Sequence, residues 1–145
     1  MIYNEQPEDF VPDIEVVGCL IECESKILLL HRHDNKTEGN KWGLPGGKVD
    51  KGDKDEKEAM LRELKEETGL SVEEDGLSYY RTFFVSHREY NYFYHYFNYQ
   101  LEELPSILIS ENEHKAYRWL TPEEALSLPL VLDEEHCLRD YYGIE

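Results

Sequence analysis

Arg62-Glu63-Leu64-Lys65-Glu66-Glu67-Thr68-Gly69-Leu70 places three carboxylates, Glu63, Glu66 and Glu67, at positions i, i+3 and i+4. On an α-helix that spacing gathers them on one face within a single turn. Three carboxylates so close repel one another and raise each other's pKa values. A hard divalent cation resolves the conflict, because Mg²⁺ prefers carboxylate oxygen and water. Arg62 sits four residues after Glu58 and four before Glu66, so it can pair with either.

Working outward, Asp55 to Gly69 reads as a helix. Ala59, Leu61, Leu64 and Thr68 recur at helical spacing, Asp53 or Asp55 can cap the start, and Gly69 can end it in a left-handed turn. On the helix alone, a solvated acidic face is the simpler reading. Three features change that. Gly46-Gly47 precedes the helix and lets the backbone approach a phosphate or metal closely. Gly69 stops the helix soon after the acids. Leu61 and Leu64 give it an apolar side, so it packs against something and its acids have a direction.

Strands are expected at Ile14 to Ile21, Lys26 to His31 and Ala116 to Leu120. Asp34 to Asn40 is polar and reads as a loop. Trp42 to Gly47 is irregular or briefly extended. Ser78 to Ser86 and Tyr92 to Leu101 form a hairpin. In its second arm Phe93, His95, Phe97, Tyr99 and Leu101 share one face, and Tyr92, Tyr94, Tyr96, Asn98 and Gln100 the other. Thr121-Pro122-Glu123-Glu124 carries a cap, a first-turn proline and a capping-box glutamate in register. Asp133 to Tyr141 reads as a last helix. Strands occur with and without intervening helices, which predicts an α/β layered domain with a mixed sheet.

Gly46-Gly47-Lys48-Val49-Asp50-Lys51-Gly52-Asp53, followed by the Arg62 to Leu70 segment, resembles the Nudix box. The second half matches that family's Arg-Glu-apolar-any-Glu-Glu-any-Gly-apolar pattern at every defined position. Trp42-Gly43-Leu44-Pro45, and Trp119 followed by Thr121 to Glu124, are also similar to the family. The first half departs from the pattern. The family has a glutamate where Asp53 stands, and Asp53 lies one residue farther from Arg62 than the family spacing. Either Asp53 serves across a longer loop, or Lys54 takes the aligned place and the acid is lost.

The resemblance implies a Nudix-like α/β/α sandwich and a pyrophosphohydrolase acting on a nucleoside diphosphate derivative. It implies that Glu63, Glu66 and Glu67, with the Gly47 carbonyl, hold Mg²⁺ or Mn²⁺, and that Arg62 orients the glutamates. In such a site water attacks a phosphorus, and the metals offset the pyrophosphate charge and lower the pKa of a bound water. Some members use an acid in the loop before a tryptophan. Glu113, six residues before Trp119, suits that place, and Glu111 is the alternative; two solvated loop acids is the plain reading. Catalytic roles are therefore expected of Arg62, Glu66 and Glu113. Gly46 and Gly47 are expected at the substrate, with Arg32 of His31-Arg32-His33 and Trp42 as further contacts. Against these stand a solvated strand end for Arg32 and core packing for Trp42.

The 145 residues fit one domain, 1–145, and 40% apolar content is enough for a core. Apolar runs such as Ile27 to Leu30 are far too short to span a bilayer. The start, Met1 to Glu15, is acidic and shows no secretory signal. Cys19, Cys23 and Cys137 read as free thiols in a reducing compartment, so a cytoplasmic protein is expected. A net charge of −17 argues against nucleic-acid partners. A polyphosphate ligand needs metal ions or a local basic patch to approach such a chain.

The segment Gly46 to Val49 is no P-loop, since Trp42 and Val49 fall where glycine and Ser/Thr are needed. The face of Tyr92, Tyr94 and Tyr96 reads as a substrate pocket, a homodimer contact or burial under a helix. Signatures that mark ADP-ribose, dinucleoside polyphosphate and coenzyme A subfamilies are missing; Phe84, Val85, His87 and Arg88 occupy two of those places. That leans toward a nucleoside triphosphate or other small nucleotide. A Nudix-fold binding or regulatory module without turnover is the alternative function.

Overall fold

The computed structural model describes the whole chain, Met1–Glu145. Its elements run β1 (Ile2–Tyr3), β2 (Ile14–Cys23), β3 (Lys26–Arg32), β4 (Trp42–Gly43), β5 (Gly46–Lys48), α1 (Glu56–Thr68), β6 (Ser78–Ser86), β7 (Asn91–Gln100), β8 (His114–Leu120), α2 (Pro122–Ala125) and α3 (Glu134–Tyr142). The strands join in one sheet in the order β1-β6-β7-β2-β3-β4, with β5 also on β2 and β8 on β3. Only β2 and β7 are parallel, from Ile14 opposite Tyr92 to Glu22 opposite Gln100; all other pairs are antiparallel. The sheet is therefore mixed, and helices cover both faces in an α/β/α sandwich.

Strand alternation divides the core in two. Val17, Cys19 and Ile21 of β2 and Leu28 and Leu30 of β3 face α1, where they meet Ala59, Met60 and Leu64. Leu20, Ile27 and Leu29 point the other way, toward Cys137 and Leu138 of α3. Both faces are covered, so these central strands read as continuous apolar runs rather than as alternation. Burying each large aliphatic side chain contributes roughly 1.5–3 kcal/mol, and this anchors α1 to the sheet. At the helix ends, Asp55 is the cap: its Oδ1 accepts from the Glu58 N–H at 2.9 Å, and Gly69 closes the helix at φ 76°. The capping box at Thr121 and Glu124 is formed.

Several boundaries move. β2, β3 and β8 extend beyond their expected ends, and Trp42 to Gly47 resolves into the short strands β4 and β5. The N-terminal segment contributes β1, which pairs Ile2 with Val85 and Tyr3 with Phe84. Two residues carry no periodicity, so only pairing with β6 reveals them. Tyr94 and Tyr96 lie under α3 and donate to Glu134 at 2.8 Å each, which is the burial reading of the tyrosine face, while Tyr92 and Tyr94 also line a hollow.

Candidate active site

β2 splits its partners: Glu22 and Cys23 pair with β3, whereas Val16, Val17 and Gly18 pair with β5. That split seats Gly46 and Gly47 against the middle of β2, facing the second half of α1. Neither glycine can be replaced freely. A Cβ on Gly46 would collide with the Val17 carbonyl and the Gly18 backbone, and one on Gly47 would lie 2.5 Å from Glu63 Oε1. The missing side chains are what allow α1 to bring its acids onto this strand.

Glu67 is buried, and its Oε1 accepts from the Gly46 N–H at 2.7 Å. Burial pushes its carboxyl well up; contact with the Glu113 carboxyl adds to this, and the Gly46 N–H opposes it. Burial also raises Glu63, to about 7; the bonds from Arg62 pull it down, and the charges of Glu66 and Glu113 push it up. Beside them His114 is buried, and loss of water lowers its imidazole to about 4. Two carboxylates forced up in pKa, in touch with a third, crowd one wall of the pocket, and only Glu63 among them is paired with a guanidinium, that of Arg62. This donor set fits a divalent cation.

Arg62 is the hub that fixes these acids. It donates from Nε to Asp53 Oδ1 at 3.0 Å and from Nη2 to Asp53 Oδ2 at 2.9 Å. Nη2 also reaches the Lys48 carbonyl at 3.0 Å, and Nη1 reaches Glu63 at 2.9 Å and Glu66 at 3.2 Å. Glu58 is not among its partners. The Arg62 bond, first among several influences, holds the Asp53 carboxyl below its ordinary range. Asp53 also accepts from the Asp50 N–H at 2.8 Å, closing the loop between β5 and α1. Lys54 plays no part in this network.

A cleft of about 340 Å³ is lined by Gly46, Gly47, Glu63, Glu67, Glu113 and three cations, Arg32, Lys36 and Lys48. Two further hollows adjoin it. One of about 170 Å³ shares Arg32, Gly46 and Gly47 and is walled by Tyr92, Tyr94, Val131 and Leu132, with His114, Glu38 and Glu134. The other, about 380 Å³, shares Arg32 and Lys48 and includes Tyr92 and Val131. An anionic group in the first cleft thus has a half-apolar aromatic pocket beside it.

The structure therefore brings Gly46, Gly47, Arg32, Glu63, Glu67 and Glu113 together. Glu66 does not line the cleft; it lies on the rim, more than half exposed, and is tied to Glu63 through Arg62. Glu111 instead gives its carbonyl to His33 Nε2 at 2.6 Å. Trp42 is corrected. It is 8% exposed, belongs to the core on the α3 side, and stacks on His31 at 4.2 Å, so no ring face is offered to a ligand. Lys36, Lys48 and His114 escaped sequence reasoning. They come from a polar loop, a glycine turn and a strand end that only the sheet assembles, and no local pattern marks them.

A family model described as NUDIX domain matches residues 12–141, nearly the entire chain. The chain belongs to the Nudix family. It is a Nudix hydrolase, an enzyme acting on phosphoric anhydride bonds. The CTP pyrophosphohydrolase of Escherichia coli (strain K12) is 37% identical over 120 residues, covering 81% of this chain and 83% of that protein. The solution structure of the E. coli ORF135 protein superposes with TM-score 0.73 at 29% identity, covering 90% of this chain and 89% of that one. The NUDIX domain of Shewanella oneidensis NrtR, complexed with ADP ribose, shares the fold with TM-score 0.78 at 20% identity, covering 97% and 93%. The Nudix box of this chain is thus the segment Gly46 to Leu70, with Asp53 bonded to Arg62 across the longer loop.

Proposed function

We propose that this Nudix hydrolase cleaves a pyrophosphate bond of a nucleoside triphosphate or related nucleoside diphosphate derivative, with Mg²⁺ or Mn²⁺ as cofactor. The observation that carries the reading is the single cleft in which Glu63, Glu67, Glu113 and Gly47 meet Arg32, Lys36 and Lys48. In a chain of net charge −17, three cations beside crowded carboxylates make a local site for a metal–polyphosphate pair. Glu63 and Glu67, with the Gly47 carbonyl and with Glu66 turning in from the rim, would be the metal donors. The bound cation would offset the pyrophosphate charge and make a coordinated water acidic enough to attack phosphorus.

The chain's own groups divide the remaining work. Arg32, Lys36 and Lys48 bind phosphate oxygens and hold the polyphosphate along the cleft. Arg62, itself fixed by Asp53, keeps Glu63 and Glu66 in register. Glu113, at the cleft wall beside Glu67, takes the proton of the attacking water. The hollow walled by Tyr92, Tyr94, Val131 and Leu132 receives the nucleoside, whose base needs an apolar flank and polar edges. The relative named CTP pyrophosphohydrolase favours a nucleoside triphosphate.

Incubation with a panel of nucleoside triphosphates, dinucleotides and nucleotide sugars in Mg²⁺ tests the proposal. Release of pyrophosphate and a nucleoside monophosphate from a triphosphate is the expected outcome. Tight nucleotide binding without product would instead make the chain a binding or regulatory module.

A further inference from the structure

His114 opens β8 opposite Arg32, where the register with β3 slips. It is 4% exposed, and its Nδ1 is buried with no hydrogen-bond partner. A buried, unpaired ring nitrogen costs on the order of 1–3 kcal/mol and needs a reason. Glu67 Oε2 lies 3.9 Å from it. That is too long for a hydrogen bond. It suits two ligands of one ion: donors each about 2.1 Å from a cation, at angles from 90° upward, stand about 3.0–4.2 Å apart. The donor atoms of Glu67, Glu113 and His114 all lie within 4.8 Å of one another.

A second His–carboxylate cluster on the same chain serves as a comparison. His95, with Glu15 and Glu56, has both ring nitrogens engaged, Nδ1 with Thr82 Oγ1 at 2.8 Å and Nε2 with Glu15 Oε1 at 2.7 Å. The fold satisfies an imidazole where it can. At His114 it leaves Nδ1 buried and unpaired, 3.9 Å from Glu67 Oε2, in a cluster with two carboxylates that line the cleft.

We infer that His114 is a nitrogen ligand, through Nδ1, of the cation held in this cleft beside Glu67 and Glu113. This rests on the reading of the cleft as a divalent-cation site and adds a ligand of different chemistry to it. A nitrogen donor shifts preference away from Mg²⁺, which favours an all-oxygen shell, toward transition-metal ions such as Mn²⁺. His114 also lines the aromatic hollow, so it stands at the junction of the cation and the nucleoside.

The test is pulsed electron paramagnetic resonance of Mn²⁺ bound to the intact protein. The expected spectrum shows nitrogen modulation from one directly bound imidazole. Protein grown with ¹⁵N-histidine should convert the ¹⁴N pattern to that of ¹⁵N, and this arm needs no substitution that could perturb folding. His114→Gln should still bind Mn²⁺ but lose the modulation. Its Mn²⁺ affinity should fall about tenfold or more, and its Mg²⁺ affinity much less. Bound Mn²⁺ without nitrogen coupling, as a water between Nδ1 and the ion would give, overturns the inference and leaves the cation site standing. Coupling that persists in His114→Gln also overturns it. Failure to bind Mn²⁺ or Mg²⁺ at all removes the parent reading and this inference together.

Discussion

Asp53 holds Arg62 through both carboxylate oxygens, to Nε at 3.0 Å and Nη2 at 2.9 Å. A residue one methylene shorter than the family's glutamate makes this pairing, from a loop one residue longer. This geometry is bidentate, so Arg62 cannot swing without losing two bonds at once. Asp53→Ala should leave the sheet and α1 folded while weakening Mg²⁺ affinity about 10–100-fold, the usual effect of removing a residue that orients ligands. Lys54→Glu in that background should not restore it. Calorimetric metal titrations check both; unchanged affinity in Asp53→Ala would mean that Arg62 needs no such support.

The two glycines of β5 should fail in different ways. Gly46→Ala drives a methyl into the backbone of Val17 and Gly18, which cannot move without breaking the β2–β5 pairing. A stability loss of about 1–3 kcal/mol is expected. Gly47→Ala meets the end of the Glu63 side chain, which can rotate aside. The fold should keep its stability to within about 1 kcal/mol, while metal affinity falls. Urea denaturation and metal titration of both variants separate the outcomes, and equal loss of stability would refute the distinction.

Glu67→Gln is expected to lower kcat by about 100-fold or more, the equivalent of roughly 3 kcal/mol of transition-state stabilisation. The glutamine Oε1 can still accept from the Gly46 N–H, and a buried like charge is removed. The metal-free variant should therefore melt no lower than the parent. Glu66→Gln should also lose kcat, with little change in melting, since Glu66 is on the rim. Steady-state kinetics beside thermal melts decide; a Glu67→Gln enzyme with near-parental kcat would remove Glu67 from the site.

Glu134 should make the protein less stable as pH rises. Burial pushes its carboxyl up to about 7, although the Tyr96 and Tyr94 hydroxyls partly offset this; unfolded, it titrates near 4.5. The folded state therefore keeps a proton that the unfolded chain releases between those values. The contribution is present in full below about pH 4.5 and is lost as pH rises through about 7, a total of about 3 kcal/mol. Denaturant unfolding from pH 5 to 8 should fall more steeply in the parent than in Glu134→Gln. Parallel curves would contradict the assignment.

What could be read in advance was whatever a local signal carries. Asp55, the spaced apolar positions Ala59, Leu61 and Leu64, and Gly69 announce α1 from both ends and along one side, and the acids share its face as spacing requires. The strands of β2, β3 and the β6–β7 hairpin follow from composition and alternation. Where a partner decides the outcome, sequence falls silent. Two residues become β1 only because β6 is there. Lys36, Lys48 and His114 belong to the site because three separate segments converge. The alternatives for Asp53 were separated only by Arg62 in space, and the partner of Tyr94 and Tyr96 appears only when Glu134 of α3 is placed over them.

The central claim is that the crowded carboxylates of the Gly47 cleft serve metal-dependent cleavage of a nucleotide's phosphoric anhydride. Its most direct test follows nucleoside triphosphate turnover by phosphorus NMR, with the protein in Mg²⁺ and then in excess chelator. The account predicts nucleoside monophosphate and pyrophosphate in Mg²⁺, and no turnover once the ion is removed. Full turnover in chelator, or no cleavage of any nucleotide with Mg²⁺ or Mn²⁺ present, would contradict it.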